Sequence, residues 1–299
     1  MVEVRRVGKA LGAEVLGVNP AVPLTHAEIE TIENGFVDHL VLRFRDAPMS
    51  IAQLRDFGAQ FGPLRQHVAK NYRDREYPEV VVMTNQDAQG NFDVVGAGRG
   101  VGWHSDGTFE AVPPKATVLH AVAVPDRGGN TIFANMYLAY ETMPAKLRQR
   151  IESMNAIFRL RGRKQKTQGI VSAEDLKKMT DVTHPVCRVH PVSARKSIFV
   201  NPHHTLCLAD VSDEESEALL AEIFAWCTRE EFQWEQEWRA GDTVMWENRS
   251  AWHSGRLDYP QDQLRRFFRT TICEREGDGI SQANVKQTTK SIEAANAYQ

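Results

Sequence analysis

The chain has no C-x-x-C pair, no long apolar run and no marked excess of one charge. Its cysteines, Cys187, Cys207, Cys227 and Cys273, are too widely spaced for a zinc-ribbon or thioredoxin-like motif. The longest apolar stretch, Ala116 to Val124, falls far short of a membrane span and contains His120. The opening MVEVRRVGKALGAEVLGV carries charges throughout and lacks the apolar core of a signal peptide. These absences point to a reducing cytoplasm with free thiols, to Cys207 and Cys227 as packing residues, and to no membrane association. Lys plus Arg is 36 against 39 for Asp plus Glu, and the net charge of −3 argues against nucleic-acid binding by bulk charge. No G-x-G-x-x-G opens a helix, so a dinucleotide-binding fold fits poorly.

What remains is ordinary globular composition, 42% hydrophobic and 25% charged, which excludes a disordered chain or a disulfide framework. Two short β-like runs open the chain. Apolar residues at Ile29, Ile32, Phe36 and Leu40 mark one face of a helix, with Thr25 as N-cap and Glu28 as its capping-box partner. A second amphipathic helix begins after Ser50 and ends at Gly62. Strands are expected at 41–45, 79–85, 116–124, 131–135, 242–248 and 264–272, with further strand-like runs in HPVCRVH, KSIFVN and FQWEQEW. Residues 86–102, rich in Gly, Asp and Asn, read as a loop. Helical patterns follow in NMYLAYETM, in the segment with Pro144 at its first helical position, around Ser172 to Met179, and in SDEESEALLAEIFAWCT. The basic run Arg159 to Lys166 reads as a solvated loop, and residues 274–299 as a polar tail. With no internal repeat and no linker, residues 1–273 read as one mixed α+β, mainly β domain: a sandwich or barrel decorated by helices.

Ten histidines are scattered through this pattern. In G-V-G-W-H-S-D-G-T-F, His104 and Asp106 are one residue apart. On extended backbone, residues i and i+2 point to the same side, so an imidazole and a carboxylate converge without help from distant chain. A lone H-x-D triplet is weak evidence. The segment ENRSAWHSG adds His253 just after the strand 242–248. Two histidines and one carboxylate form a facial triad that leaves open positions on a non-heme Fe(II), although zinc accepts the same donors. In LRRFFRTTI, Arg265, Phe267 and Arg269 share one strand face and Arg266 and Phe268 the other. An inward pair of arginines is costly unless anions meet it. His120, on an apolar strand, reads as a satisfied core residue.

Taken together, WHSDGTF at 103–109 with Pro113 and Pro114, VPDRGGNT at 124–131, Ala139–Tyr140, HPVCRVHPVSARKSIFVN, WENRSAWH and RRFFRTTI resemble the taurine dioxygenase/2,4-dichlorophenoxyacetate dioxygenase family of Fe(II)- and 2-oxoglutarate-dependent oxygenases. The motifs keep the family's order from about Val4 to Ile272. The resemblance implies a double-stranded β-helix (jelly-roll) core with flanking helices and Fe(II) on His104, Asp106 and His253. It implies 2-oxoglutarate as cosubstrate, its distal carboxylate on Thr131 and Arg265, with Arg266 a rival because the first arginine comes one residue later than in relatives. It further implies O2 as co-reactant, release of succinate and CO2, and a homodimer or homotetramer. The primary substrate would be a small organic anion (sulfonate, sulfate ester, aryloxyacetate or carboxylate) held by Arg269 and His67. Phe199 and Trp246 would wall the pocket, and His203 and His204 would lie near it. Two departures speak against taurine itself. Gly100 stands where taurine enzymes carry a substrate-contacting asparagine, and Lys70 follows His67 where they carry tyrosine. The intact carboxylate favours hydroxylation over halogenation. The competing readings are a zinc hydrolase on the same three ligands and a catalytically silent jelly-roll binding protein.

Overall fold

The computed structural model describes residues 1–67, 70–87, 89–160, 162 and 180–275. The architecture is mixed and mainly β. Its largest sheet has seven strands, in the order β1 (Glu3–Arg6), β2 (Ala13–Leu16), β3 (Val41–Phe44), β13 (Thr243–Glu247), β5 (Ala116–Ala123), β15 (Arg266–Ile272) and β4 (Val80–Thr84). All neighbours are antiparallel except β2 and β3. A three-stranded sheet runs β12 (Gln233–Gln236), β6 (Thr131–Asn135), β14 (Ala251–Gly255). A second joins β11 (Thr205–Leu208), β7 (Asn155–Phe158) and β8 (Val182–Pro185), and β9 (Cys187–Val189) pairs with β10 (Lys196–Ile198).

Strand alternation decides what faces what. On β5, Ala116 and Val118 join Phe36, Leu54, Phe57 and Phe61 from the two N-terminal helices. Leu119 and Ala121, of opposite parity, join Phe133 of β6 and Ala251 of β14. The same split runs through β13, where Met245 meets the helices and Val244 and Trp246 meet the small sheet. On β15, Phe268 and Ile272 belong to the helix side and Phe267 to the inter-sheet side. Arg269 shares the parity of Phe267 and so faces the space between the sheets. A third cluster packs the helix Asp213–Cys227, through Leu219, Leu220 and Ile223, against Ala156 and Phe158 of β7.

Both N-terminal helices begin as expected. The Thr25 hydroxyl accepts from the Glu28 N–H while the Glu28 carboxylate accepts from the Thr25 N–H at 2.7 Å, and Ser50 and Gln53 repeat the motif. Two expectations need correction. The 86–102 segment contains a short helix, Val94–Ala97, because the Asp93 carboxylate caps its first turn. Pro144 occupies the capping position of the helix Ala145–Ile151, not its first helical position. Strands β7, β11 and β14 were not expected, and His253, read as following the strand 242–248, lies within β14. The helix expected around Ser172 to Met179, residues 161 and 163–166 of the basic run and residues 276–299 lie outside the described residues.

His120 is the satisfied core residue expected. Its Nε2 accepts from the Met49 N–H at 3.1 Å, so its Nδ1–H donates to the Thr243 hydroxyl at 2.9 Å. Burial pushes its pKa down to about 4, as it does for His184, whose Nε2–H donates to the Glu110 carbonyl. Both stay neutral in the fold while an unfolded chain takes up protons near pH 6.5. The unfolded state then binds more protons, so stability falls as pH drops from about 6.5 toward 4, by up to ~3 kcal/mol per histidine. Urea midpoints measured across that window should fall less steeply for His120→Gln than for the wild type. Identical slopes would contradict this assignment.

Candidate metal and cosubstrate site

The site begins with a backbone zipper. The Gly100 carbonyl accepts from the Gly255 N–H at 2.7 Å, and the Gly102 N–H donates to the Ser254 hydroxyl at 3.0 Å. His104 and His253 then exchange N–H···O=C bonds of 3.0 and 2.8 Å. Gly100 and Gly102 have φ of +77° and +95°, left-handed values that favour glycine and let the loop follow β14 closely. Directly opposed residues of an antiparallel pair present their side chains on one face. The two imidazoles accordingly lie with ring centroids 4.1 Å apart.

Asp106, two residues after His104, completes the group. Its Oδ1 lies 3.8 Å from His104 Nε2 and its Oδ2 3.8 Å from His253 Nε2. All three residues are buried, and their donor atoms lie within 4.8 Å of one another. His104 Nδ1 is 2.7 Å from the Gly102 carbonyl, so Nδ1 carries the proton and Nε2 keeps its lone pair for the shared space. Burial holds both histidines below their ordinary pKa, which keeps them unprotonated. Burial alone would push the Asp106 carboxyl up. Arg269, His253, His104 and the Thr117 hydroxyl outweigh it and hold the group ionised, well below the usual carboxylate range. Two neutral imidazoles and one carboxylate, with donor atoms within 4.8 Å of one another, are a donor set that suits a divalent cation with open positions.

Supporting residues fix the carboxylate. Thr117 donates to Asp106 Oδ2 at 2.7 Å, and Asn248 Nδ2 donates to Thr117 Oγ1 at 3.0 Å. Arg269 Nη2 lies 2.9 Å from the same Oδ2. The reading of the sequence missed Thr117 and Asn248. The signal for Thr117 was a polar residue on the inter-sheet parity of β5, among Leu119 and Ala121.

The triad opens into a cavity also lined by His67, Thr131, Arg265, Arg269, Trp246, His203 and His204. Arg265 is half-buried there and donates through Nε and Nη2 to the Gly129 carbonyl at 3.1 and 2.9 Å. It lies over the Phe267 ring, and burial pulls its pKa down to about 10. Among the described residues it forms no ion pair. A Cβ at Gly129 would come within 3.1 Å of Arg265 Nε, so the glycine makes room for the guanidinium. The Thr131 hydroxyl accepts from Trp238 Nε1 at 3.0 Å. Arg266 is exposed and outside the cavity lining.

Phe199 is a correction. It does not line the cavity. Its N–H donates to the Val186 carbonyl at 2.8 Å, and its ring packs against Phe158 and His184 with Arg188 stacked on it. The alternation in KSIFVN marks a buried position without saying which space it faces.

Comparison with known proteins agrees with this geometry. The family described as "Taurine catabolism dioxygenase TauD, TfdA family" matches residues 3–271. An alpha-ketoglutarate-dependent 2,4-dichlorophenoxyacetate dioxygenase of Cupriavidus pinatubonensis is 32% identical over 275 residues, 89% of this chain and 94% of that one. An alpha-ketoglutarate-dependent sulfate ester dioxygenase of Pseudomonas putida is 28% identical over 296 residues, 96% of this chain and 94% of that one. The solved structure of AAD-2 in complex with Mn(II) and N-oxalylglycine superposes with a TM-score of 0.80 at 26% identity, covering 94% of this chain and 100% of that one. The hydrolase and silent-binder readings therefore give way. The chain belongs to the TauD, TfdA family and is an Fe(II)- and 2-oxoglutarate-dependent dioxygenase.

Proposed function

We propose that this enzyme hydroxylates a small organic anion in the cavity between its sheets. His104, Asp106 and His253 would hold Fe(II), which supplies O2 activation coupled to conversion of 2-oxoglutarate to succinate and CO2. The rest is positioning by the protein. Arg265 and Thr131 receive the distal carboxylate of 2-oxoglutarate. Arg269 and His67 stand on the substrate side, with Trp246 as an apolar wall. The observation that carries this reading is a partly buried guanidinium, Arg265, which has no acidic partner among the described residues and opens into the same cavity as three converging metal donors. An unpaired buried charge is costly, so the fold holds a place for an anion. The names of the two relatives favour an aryloxyacetate or a sulfate ester as substrate.

The same reading takes residues 1–273 as one catalytic unit around a jelly-roll core, supported by the family match to 3–271 and by two sheets sharing one cluster. It also takes the protein as a homodimer or homotetramer in the cytoplasm, where the four free cysteines suit a reducing compartment. Among the described residues no helix is long and apolar enough to cross a membrane.

Succinate release with 2,4-dichlorophenoxyacetate, an alkyl sulfate or a sulfonate tests the reaction. Against the active compound, Arg265→Ala should raise the 2-oxoglutarate concentration needed by about 10–100-fold, the worth of a charge-assisted fork. Arg266→Ala should leave it unchanged. The reverse pattern would overturn the assignment of Arg265.

A further inference from the structure

The charges around the cavity do not balance. Among the described residues five arginines line it: Arg65, Arg99, Arg256, Arg265 and Arg269. Arg65 pairs with Glu110, Arg256 with Glu235 at 2.9 Å, and Arg269 with Asp106 at 2.9 Å. Arg265 is matched to 2-oxoglutarate in the reading above. Arg99 is left over. It forms no ion pair among the described residues, although the Asp93 carboxylate attracts it from a distance and the Tyr72 side chain hydrogen-bonds it, and its Nε and Nη1 are buried with no hydrogen-bond partner.

Arg99 is nevertheless held in place. Its guanidinium carbon sits 3.4 Å from the centroid of the Tyr72 ring, a stacked cation–π contact. Stacking occupies the face of a guanidinium and leaves its in-plane N–H fork for an anion. The backbone on both sides is fixed. The Arg99 N–H donates to the Gly96 carbonyl at 3.3 Å, and the next residue, Gly100, is tied to β14 through Gly255. Gly100 leaves open space beside it, since a Cβ there would meet nothing within 4 Å. Burial pulls the Arg99 pKa down, as it does for Arg265. Arg269, by contrast, already shares its charge with Asp106.

We propose that Arg99, backed by Tyr72, is a specificity residue that receives the oxyanion of the primary substrate. This rests on the dioxygenase reading and deepens it. The enzyme selects carboxylates, sulfates or sulfonates over neutral compounds of the same shape because only an oxyanion satisfies the leftover fork.

The test uses the full chain loaded with Mn(II) and N-oxalylglycine, which does not turn over, titrated calorimetrically with 2,4-dichlorophenoxyacetate, octyl sulfate and the neutral 2,4-dichlorophenoxyethanol. Arg99→Gln should weaken whichever anion binds the wild type by about 10–100-fold while N-oxalylglycine affinity stays within about twofold. Arg99→Lys should fall between the two, because an ammonium keeps the charge without the fork, and it serves as the readout if the glutamine variant does not fold. The neutral alcohol should bind wild type and variant alike. The proposal is overturned if the variants bind the anions as the wild type does, or if the loaded wild type binds neither anion, or prefers the alcohol. If N-oxalylglycine itself fails to bind the wild type, the cosubstrate reading fails and the proposal falls with it.

Discussion

His104→Ala is expected to abolish turnover, with a loss well beyond the ~10–100-fold typical of residues that only support a metal ligand. The reason lies in how the site is built. His104 contributes the Nε2 lone pair, and its Nδ1 proton is already committed to the Gly102 carbonyl. No other described histidine is placed to replace it. His203 and His204 lie with ring centroids 5.1 and 6.1 Å from the His104 ring but outside the group of converging donors. The backbone bonds between His104 and His253 do not depend on the side chain, so the variant should stay folded. Thr117→Val provides the scale. It removes the hydroxyl that orients Asp106 while leaving every donor in place, and should cost only the smaller, supporting-residue factor. Succinate release measured for both variants, with folding checked by thermal melts, separates loss of the site from loss of the protein. Near-normal turnover in His104→Ala would contradict the assignment.

Glu247→Ala is expected to destabilise the fold by about 3–5 kcal/mol, the cost of removing one partner from a buried ion pair. Glu247 is 0% exposed and Arg249 is 5% exposed. The carboxylate accepts from Arg249 Nε at 2.7 Å, from the Arg249 backbone N–H at 2.9 Å and from His190 Nε2 at 2.9 Å. Burial alone would push its pKa up, but Arg249 and His190 hold it well below the usual range. This network closes the turn between β13 and β14, and β14 carries His253. Glu274 also pairs with Arg249, so the end of the described chain is pinned to the same turn. Glu274→Ala should cost far less, because Glu247 still neutralises Arg249. Urea denaturation of the two variants tests the ranking. Equal effects would show that Arg249 takes its neutralisation equally from both acids.

The sequence is readable where structure is set locally. The Thr25 capping box and the start of the next helix at Ser50 depend only on neighbouring residues, and both form as read, with Gln53 completing a second box that was not read. The strand-face argument for β15 places Arg269 between the sheets and Arg266 outside. Its ladder to β5 shifts register between Arg266 and Phe267, an irregularity that alternation cannot show. His104 and Asp106 converge through local spacing, but the approach of His253 depends on a pairing between distant segments. Strands β7 and β11 are short and lack clean alternation, and Phe199 shows that periodicity marks burial without naming the space a side chain faces. Arg99 stood in a segment rich in turn residues and gave no signal in one dimension. Its meaning appears only when the charges around the cavity are counted together.

The central claim is that His104, Asp106 and His253 form an iron site that admits 2-oxoglutarate. Under anaerobic conditions, adding Fe(II) and 2-oxoglutarate to the wild-type protein should produce a weak visible charge-transfer band, and His104→Ala should not develop it. Absence of the band in a wild-type protein that binds only zinc, or its persistence in His104→Ala, would contradict the account.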